Sequence, residues 1–392
     1  MPVFVDRDKL SPRYIPERLP HREKEIETAM SFFKDLIEGL PCNCTRIIQF
    51  IGPTGMGKTC SAYHVMNSLT KSLKKLGICF KSVYLNLKLE ASSKFVFYKN
   101  LAEKIDPIIS SRSLSPSEQL KEIVRHIKRK GMRVLLVIDE VDEFLKRSSD
   151  VGLIYDLTRF SEMCLGEVSR IVGIIFIARD YNWKRHLSKA ERSTLGNLVV
   201  PFRPYTKAQV VDILKYRVSE AFEKGAIDDE VIEFVADVTV RYAESDIRYA
   251  LDILLYSGVV TENQGMDRVT LDHVRHVLGM FEHVMTYRDI EELDVESKIV
   301  LLSIARALKV LKKQYVTLDE VRCSYKMVCE EYNVKRSPWA ELENRIQELY
   351  ERGIIDVRGV NKIGIINVPV SKLSDILDEI IESIVSELSY KY

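Results

Sequence analysis

The sequence has little net charge and no long apolar run. Its 392 residues carry 58 Lys and Arg against 57 Asp and Glu, which gives a formal net charge of +1. This balance excludes a protein that coats nucleic acid through bulk positive charge, although it leaves room for a local basic surface. No stretch approaches the roughly 20 consecutive apolar residues that cross a membrane, and the first residues show no apolar signal core. We therefore expect a cytoplasmic protein without a membrane partner.

Cysteine is scarce, and its seven copies are scattered along the chain. An odd and scattered set argues against a disulfide framework and suits a reducing compartment. Cys42 and Cys44 form a tight pair, but a zinc site needs two further Cys or His ligands, and none follows at a motif-like spacing. Ordinary thiols are therefore expected there. The hydrophobic fraction of 46% excludes a mainly disordered chain, and the length predicts two or three domains.

Apolar runs and helical patterns alternate between Arg46 and about Val200. The runs show no polar alternation, which is typical of parallel strands that are buried on both faces. The predicted strands are Arg46–Ile51, Cys79–Leu87, Val134–Ile138 and Ile171–Ala178, and the helices between them include Lys58–Lys75, Lys94–Ile105 and Ser115–Lys130. This alternation predicts an α/β domain with a parallel sheet over residues 1–203.

The pattern then becomes wholly helical over residues 204–289, which predicts a small all-α domain. Residues 290–392 follow the order helix, short strand, helix, turn, helix and hairpin, which is the order of a winged helix-turn-helix. Thr317 and Glu320 have the spacing of a capping box at the second of these helices. Ser337 as N-cap and Pro338 at the first helical position are expected to open the third.

A hairpin and an amphipathic helix complete the third region. The hairpin is predicted to pair Ile354–Val357 with Ile363–Val368 across a turn at Gly359–Lys362. The final helix carries a regular apolar stripe from Leu373 to Leu388. We expect this stripe to pack on the third domain, and a helix that binds a partner is the alternative.

An octet after the first predicted strand fits the nucleotide phosphate loop, G-x-x-x-x-G-K-[ST]. Its glycines allow backbone N–H groups to turn inward around phosphates. Its lysine brings positive charge to the β- and γ-phosphates, and its threonine offers a hydroxyl to Mg²⁺. The octet predicts an ATP or GTP site, with ATP favoured and ADP as the product. The predicted nucleotide-binding residues here are Gly52, Pro53, Thr54, Gly55, Met56, Gly57, Lys58, Thr59 and Cys60.

Two carboxylates end the predicted strand Val134–Ile138. Asp139 is expected to hold Mg²⁺ together with Thr59, and Glu140 is expected to polarise the attacking water. Acidic residues after a strand are common in ordinary loops, but a preceding phosphate loop favours the functional interpretation. The chemistry predicted for this site is the positioning and charge neutralisation of a phosphoryl group.

Three stretches together resemble the archaeal origin-recognition and cell-division-control initiator ATPases, a clade of AAA+ proteins. They are Tyr14–Glu23, the phosphate loop and Leu135–Asp142, and the resemblance continues through Val200–Tyr205, Ser245–Arg248 and the winged helix. It therefore covers essentially the whole chain. The resemblance implies an AAA+ parallel-sheet domain with an all-α lid and a C-terminal winged helix-turn-helix domain that binds DNA.

The same resemblance implies further nucleotide contacts. In that family the first stretch packs against the base, which implies that Pro16, Leu19 and Arg22 line the adenine side. The resemblance also implies that Tyr205 is a nucleotide-binding residue. Arg248 corresponds to the sensor-2 arginine, which reaches from the lid to the γ-phosphate, and its alternative is a surface arginine on a helix.

The sequence departs from the family at the sensor-1 position. The family usually carries an asparagine after the fourth strand, where this chain has Arg179. An arginine has no acceptor and cannot orient a lytic water as an amide does, although it can stabilise phosphate charge. We therefore expect a weak ATPase in which the nucleotide acts mainly as a conformational ligand. Arg185 and Arg192 lie where a trans-acting arginine finger is expected, and neither is assigned.

DNA contacts are expected at the winged helix and at an insertion after the second strand. The insertion carries Arg112, for which a solvated loop is an equal alternative. Glu341 and Glu348 on the third winged-helix helix repel phosphates, so a winged helix used for protein contacts is also possible. The predicted DNA-binding residues are Arg112, Lys335, Arg336, Asn344, Arg345, Arg358, Asn361 and Lys362.

The leading functional hypothesis is an ATP-dependent replication initiator. Its expected partners are origin duplex DNA, the replicative helicase, and further copies or paralogous initiators on DNA. The second hypothesis is an origin-binding repressor of initiation in which the nucleotide is largely structural. A signalling ATPase with an attached winged helix is disfavoured, because its Gly-Leu-Pro-Leu lid motif is absent.

Overall fold

A computed structural model describes residues 2–40, 45–109, 114–147, 152–160, 170–281, 287–359 and 361–389. Cys42, Cys44 and Arg112 lie outside the described residues. The chain forms two compact units. The first, called the sheet unit, comprises Ile15–Gln209 with Glu244–Ile247, and the second, called the helical unit, comprises Met1–Tyr14, Val210–Ala243 and Arg248–Tyr392. Among the described residues, no helix is both long and apolar enough to cross a membrane.

The sheet unit is built on a parallel sheet, as predicted. Within the described residues its strands are β1 (Arg46–Ile51), β2 (Phe80–Asn86), β3 (Arg133–Asp139), β4 (Ile171–Ala178) and β5 (Val199–Pro201). Their order is β2-β3-β4-β1-β5, and all neighbours pair in parallel. The carboxyl ends of β1, β3 and β4 therefore lie at one edge of the sheet, where the phosphate loop, the acidic pair and the sensor-1 position begin.

Helices cover both faces of this sheet within the sheet unit. They are α1 (Glu23–Ser31), α2 (Lys34–Ile37), α3 (Lys58–Lys75), α4 (Leu87–Glu90), α5 (Lys94–Ile105), α6 (Pro116–Arg129), α7 (Val141–Arg147), α8 (Gly152–Thr158) and α9 (Lys189–Leu195). A capping box at Ser115 and Glu118 opens α6, with Pro116 in its first turn. β3 and β4 are almost wholly buried along their length, because the sheet is covered on both faces.

The helical unit contains the predicted all-α region and the predicted winged helix. The first has α10 (Lys207–Ala221, which begins in the sheet unit), α11 (Asp229–Tyr242), α12 (Ile247–Asn263) and α13 (Leu271–Phe281). The second has α14 (Tyr287–Glu291), α15 (Val295–Leu311), β6 (Val316–Thr317), α16 (Leu318–Glu331), α17 (Trp339–Glu351), β7 (Asp356–Arg358), β8 (Lys362–Gly364) and α18 (Val370–Ser389). Within the described residues β6, β8 and β7 pair antiparallel in that order, which confirms the predicted wing.

Local signals at the winged helix are mostly confirmed. The capping box of Thr317 and Glu320 opens α16 with both of its reciprocal hydrogen bonds. The predicted start of α17 is wrong by one residue: Pro338 is extended, with ψ of 149°, and takes the N-cap position in place of Ser337. The stripe of α18 packs in the core of this region, where Leu373 and Leu377 are fully buried beside α15.

α13 and α18 are joined inside the helical unit by Asp272. Its carboxylate accepts hydrogen bonds from the backbone N–H groups of Val370 and Ser371, both at 3.0 Å, and from the Ser371 hydroxyl at 2.6 Å. The first N–H groups of a helix have no partner within the helix, and Asp272 satisfies two of them in α18. This carboxylate therefore helps to set where α18 begins.

Candidate nucleotide-binding site and nucleic-acid interface

The phosphate loop takes a backbone shape that its glycines make possible. Gly55 has φ of +75° and Gly57, the N-cap of α3, has φ of +82°, both in the left-handed region. A Cβ at Gly55 would lie 1.9 Å from the Oδ1 atom of Asp246, and a Cβ at Gly57 would lie 3.1 Å from the hydroxyl of Tyr205. The loop therefore turns at the N-terminus of an 18-residue helix, where backbone N–H groups favour an anion.

Lys58 lies within the loop that it is predicted to serve. Its Nζ donates to the carbonyl oxygens of Gly52 at 2.6 Å and Pro53 at 2.5 Å, and 9% of the residue is exposed. The ammonium is thus held next to the loop backbone, among neighbours that a phosphate oxygen can replace. This position agrees with the role expected of Lys58 in the loop. Its contact with the phosphates of a nucleotide stays a prediction.

Arg22 is packed against the backbone of the phosphate loop. Its Nε donates to the carbonyl of Met56 at 2.8 Å, its Nη2 to the carbonyl of Arg203 at 2.8 Å, and its Nη1 pairs with Glu25 at 2.9 Å. The guanidinium also lies 3.9 Å from the centre of the Tyr205 ring. Arg22 therefore supports the loop backbone, a contact that no local sequence pattern predicts. Its position beside adenine stays a prediction.

Tyr205 supports the same carbonyl from a second side. Its hydroxyl donates to the Met56 carbonyl at 3.2 Å, and burial raises the pKa of Tyr205 to about 12, so the hydroxyl stays a neutral donor. The backbone carbonyl of Tyr205 accepts from Ser245 at 2.8 Å. This ties the segment before α12 to the phosphate loop within the sheet unit.

The stretch Tyr14–Glu23 is fastened to α3. Pro16 is buried, and its carbonyl lies 2.9 Å from Nε2 of His64 on that helix. Leu19 is half-buried, and its carbonyl accepts the backbone N–H of Arg22 at 3.1 Å. Cys60, also on α3, is of intermediate exposure and forms no disulfide bond. These residues are brought close to the loop, while their contact with a base stays a prediction.

Thr59 and Asp139 meet at the end of the sheet. The Thr59 hydroxyl donates to Oδ2 of Asp139 at 2.7 Å, and the hydroxyl of Tyr84 donates to the same oxygen at 2.9 Å. A hydroxyl and a carboxylate are the hard oxygen ligands that Mg²⁺ prefers, so this pair fits a Mg²⁺ site. Tyr84 was not predicted from the sequence, because its role depends on the pairing of β2 with β3.

Glu140 and Arg179 form an ion pair at the neighbouring strand ends. Nη2 of Arg179 lies 3.0 Å from Oε2 of Glu140, and Glu140 has φ of +57°, in the left-handed region. Burial opposes the charge of Arg179, but the carboxylates of Glu140, Asp142 and Glu143 raise its pKa overall. The sensor-1 position and the predicted general base are therefore brought together.

Arg248, the predicted sensor-2 arginine, is the second residue of α12 and is exposed. It belongs to the helical unit, whereas Ser245 and Asp246 belong to the sheet unit. Its contact with the γ-phosphate stays a prediction.

Most of the predicted DNA-binding residues lie on the surface of the winged helix. Lys335, Arg336, Asn344, Asn361 and Lys362 are exposed. Arg336 forms an ion pair with Glu330. A second arginine, Arg345, is half-buried and pairs with Asp294 and Glu348, both at 2.9 Å. The arginines of this surface thus have acidic neighbours with which DNA phosphates must compete.

Arg358 of the wing faces the lid. It forms ion pairs with Asp237 of α11 and with Asp356, and it lies 4.0 Å from the centre of the Tyr315 ring. Only 13% of its side chain is exposed. Asp356 also accepts from Arg241 of α11, at 2.8 Å. Arg358 therefore joins the wing to the lid in the helical unit, and its predicted contact with DNA stays a prediction.

Trp339 marks a surface that sequence reasoning missed. It opens α17 with 40% exposure, and the cations of Arg322 and Lys326 lie 5.5 Å and 5.4 Å from the centre of its ring. Cations at these distances are attracted to the face of the tryptophan ring, and Arg322 and Lys326 on α16 reach it only through the packing of the helices. Trp339 lies next to Lys335 and Arg336 along the chain, at the N-terminus of the third winged-helix helix.

Comparison with known proteins gives the same architecture. Residues 44–185 match the model of the AAA domain, residues 211–278 the Cdc6 AAA+ ATPase-type lid domain, and residues 288–364 the CDC6 C-terminal winged helix domain. ORC1-type DNA replication protein 1 of Sulfolobus acidocaldarius is 31% identical over 365 residues, which cover 92% of this chain and 87% of that protein.

Solved structures resemble the whole chain. The crystal structure of Cdc6p from Pyrobaculum aerophilum has a TM-score of 0.76 at 23% identity and covers 98% of this chain and 100% of its own, which shows the shared fold. The Aeropyrum pernix ORC1 protein in complex with DNA has a TM-score of 0.61 at 25% identity and covers 98% and 99%. With its AAA domain, Cdc6-type lid and winged helix, the chain belongs to the archaeal Orc1/Cdc6 family of AAA+ replication initiators.

Proposed function

We propose that this protein is an ATP-dependent replication initiator that binds origin duplex DNA and helps to recruit the replicative helicase. The observation that carries the proposal is a phosphate loop with Thr59 and Asp139 in contact at 2.7 Å, in one chain with a winged helix. The relative from Aeropyrum pernix was solved with DNA, which supports duplex DNA as the partner of this chain. Bound nucleotide, ATP or ADP, acts as a conformational ligand.

The nucleotide chemistry proposed here is slow hydrolysis. A water oxygen bonds to the γ-phosphorus while the bond to the β–γ bridging oxygen breaks, so that ADP and phosphate leave and Glu140 accepts the proton of the water. Lys58 neutralises phosphate charge, and Arg248 is the further arginine proposed to act there. Arg179 instead contacts the carboxylate of Glu140. Thr59 and Asp139 would hold Mg²⁺. A Mg²⁺ ion held there would supply positive charge that offsets the charge of the phosphates.

DNA binding is proposed to depend on a few placed groups, because the chain is nearly neutral. Lys335 and Arg336 lie just before the start of α17, Asn344 lies on that helix, and Asn361 and Lys362 lie in the wing. Phosphates are favoured at a helix N-terminus and by lysines at a wing. Few phosphate contacts predict a shallow dependence of affinity on salt.

The direct test is a binding competition with the purified full chain. Fluorescence anisotropy should show tighter binding of an origin duplex than of a scrambled duplex of the same length, at several salt concentrations, with Mg²⁺ and ATP present. Lys58→Ala should lose binding of labelled ADP while keeping its fold by circular dichroism. Equal affinity for origin and scrambled duplexes would reject the initiator proposal.

A second function, a repressor that occupies origins, is favoured by two observations. Glu140 is engaged by Arg179, and the exposed face of α17 carries Glu341, Glu343 and Glu348. In this alternative the nucleotide is mainly structural. A loading assay with the replicative helicase separates the two, since an initiator increases the amount of helicase on origin DNA and a repressor decreases it.

A further inference from the structure

The carboxylate that the proposed hydrolysis requires is already engaged. Oε2 of Glu140 lies 3.0 Å from Nη2 of Arg179, and Nη1 of the same guanidinium lies 3.7 Å from Glu143. The backbone N–H of Arg179 donates to Asp142 at 3.4 Å. A general base must present its carboxylate oxygen to the water whose proton it accepts. An oxygen held by a guanidinium is withdrawn from that task.

The pairing of strands places these two residues together. β3 and β4 are parallel neighbours, with Ile138 opposite Phe176, so the residues that follow both strands leave the sheet at the same edge. The left-handed φ of Glu140 persists because its surroundings hold it: its backbone N–H donates to Oδ1 of Asp139 at 2.8 Å, and its side chain meets the guanidinium. The contact between Glu140 and Arg179 therefore follows from the pairing of β3 with β4.

The chemistry of arginine makes this contact inhibitory. The guanidinium keeps its charge at every physiological pH and offers donors without an acceptor. It can hold the carboxylate but cannot orient the water in its place. With 40% and 26% of their side chains exposed, Arg179 and Glu140 are also accessible enough for the pair to open without unfolding.

We infer that Arg179 is a positioning residue that holds Glu140 in a resting pose and thereby suppresses hydrolysis of bound nucleotide. This inference rests on the proposed function, because it concerns the same nucleotide site. It goes beyond a missing asparagine: the arginine is an active restraint, and its removal should accelerate the reaction. An arginine that stabilised phosphate charge would give the opposite result.

The test is the rate of ATP hydrolysis by Arg179→Asn in the full chain with Mg²⁺. We expect kcat to rise by about 10- to 100-fold, which is part of the roughly 100- to 10,000-fold that a general base typically contributes. The affinity for fluorescently labelled ADP should stay within about twofold, which separates an effect on the reaction from one on binding. Arg179→Asn combined with Glu140→Gln should lose the gain. Arg125→Asn, at an exposed arginine on α6, is the matched control and should keep the wild-type rate.

A slower or unchanged Arg179→Asn protein that still binds labelled ADP would overturn this inference and leave the proposed function standing. Failure of the wild-type chain to bind labelled ADP would instead overturn the proposed function. A measurement without nucleotide tests the pair itself. Thermal midpoints of wild type, both single variants and the double variant should be non-additive, and strict additivity would mean that the pair is absent in solution.

Discussion

Replacing Arg22 by alanine tests whether this side chain holds the phosphate loop. The variant removes charged hydrogen bonds to the carbonyls of Met56 and Arg203 and the contact with the Tyr205 ring. Hydrogen bonds from a charged donor contribute about 1.5 to 3 kcal/mol each, but Tyr205 still donates to Met56. A net loss of about 3 kcal/mol follows for a side chain that is 4% exposed. For a unit of this size, that loss lowers the thermal midpoint by about 6 to 12 °C.

The assay is thermal unfolding without nucleotide, combined with hydrogen exchange of the peptide that contains the phosphate loop. Arg18→Ala is the matched control, because Arg18 lies on the same segment but is exposed, and its loss should stay within about 0.5 kcal/mol. Arg22→Lys should lose most of the stability that the Arg22 side chain contributes. An ammonium lacks the planar fork with which the guanidinium donates to both carbonyls. An Arg22→Ala midpoint within about 1 °C of the Arg18→Ala midpoint would refute the reasoning.

Three further perturbations test the phosphate loop, the wing and the lid. Gly55→Ala should abolish binding of labelled ADP because a Cβ there lies 1.9 Å from a carboxylate oxygen, whereas Gly77→Ala, at similar φ with nothing within 4 Å, should lose only about 1 to 2 kcal/mol of stability and keep binding. Lys362→Ala should lower the slope of log affinity for duplex DNA against log salt by about 1, while Arg358→Ala should mainly lower the thermal midpoint of the helical unit. Burial opposes ionisation of Asp272, but hydrogen bonds from the start of α18 lower its pKa overall. The stability that the ionised carboxylate gives to the fold is therefore complete above about pH 4 and is lost as the pH falls through the folded pKa. Asp272→Asn should therefore flatten the acid side of a plot of midpoint against pH. Three results would contradict these expectations: equal loss of ADP binding in Gly55→Ala and Gly77→Ala, a salt slope that Lys362→Ala leaves unchanged, or acid limbs that run parallel in the wild type and in Asp272→Asn.

The sequence predicted the elements that have long, regular patterns. The bounds of β1, β4, α3 and α5 agree with the structure because apolar periodicity and end signals coincide there. β5 was not predicted, since it has three residues, ends in Pro201 and, among the described residues, pairs with β1 alone. The hairpin strands were predicted too long because Ile354, Ile355 and the stretch after Gly364 are largely apolar but lie outside β7 and β8.

The chemistry of the site was predictable from the sequence where it depends on neighbours along the chain. Gly55, Gly57 and Lys58 act within one loop, so their spacing alone indicates their arrangement. Arg18 and Arg22 look alike in the sequence, and only the approach of the phosphate-loop backbone buries the second. The engagement of Arg358 likewise depends on Asp237, which is distant along the chain. Contacts of this kind follow from tertiary packing, which no local pattern records.

The most direct test of the central claim is footprinting of the full chain on duplex DNA from its own origin region, with Mg²⁺ and either ATP or ADP. A nucleotide-controlled initiator predicts protection of a defined site whose extent differs between ATP and ADP. Lys58→Ala should protect the same extent with either nucleotide, since it binds neither. Protection that is identical with ATP and ADP in the wild-type chain, or that shows no preferred site, would contradict the claim.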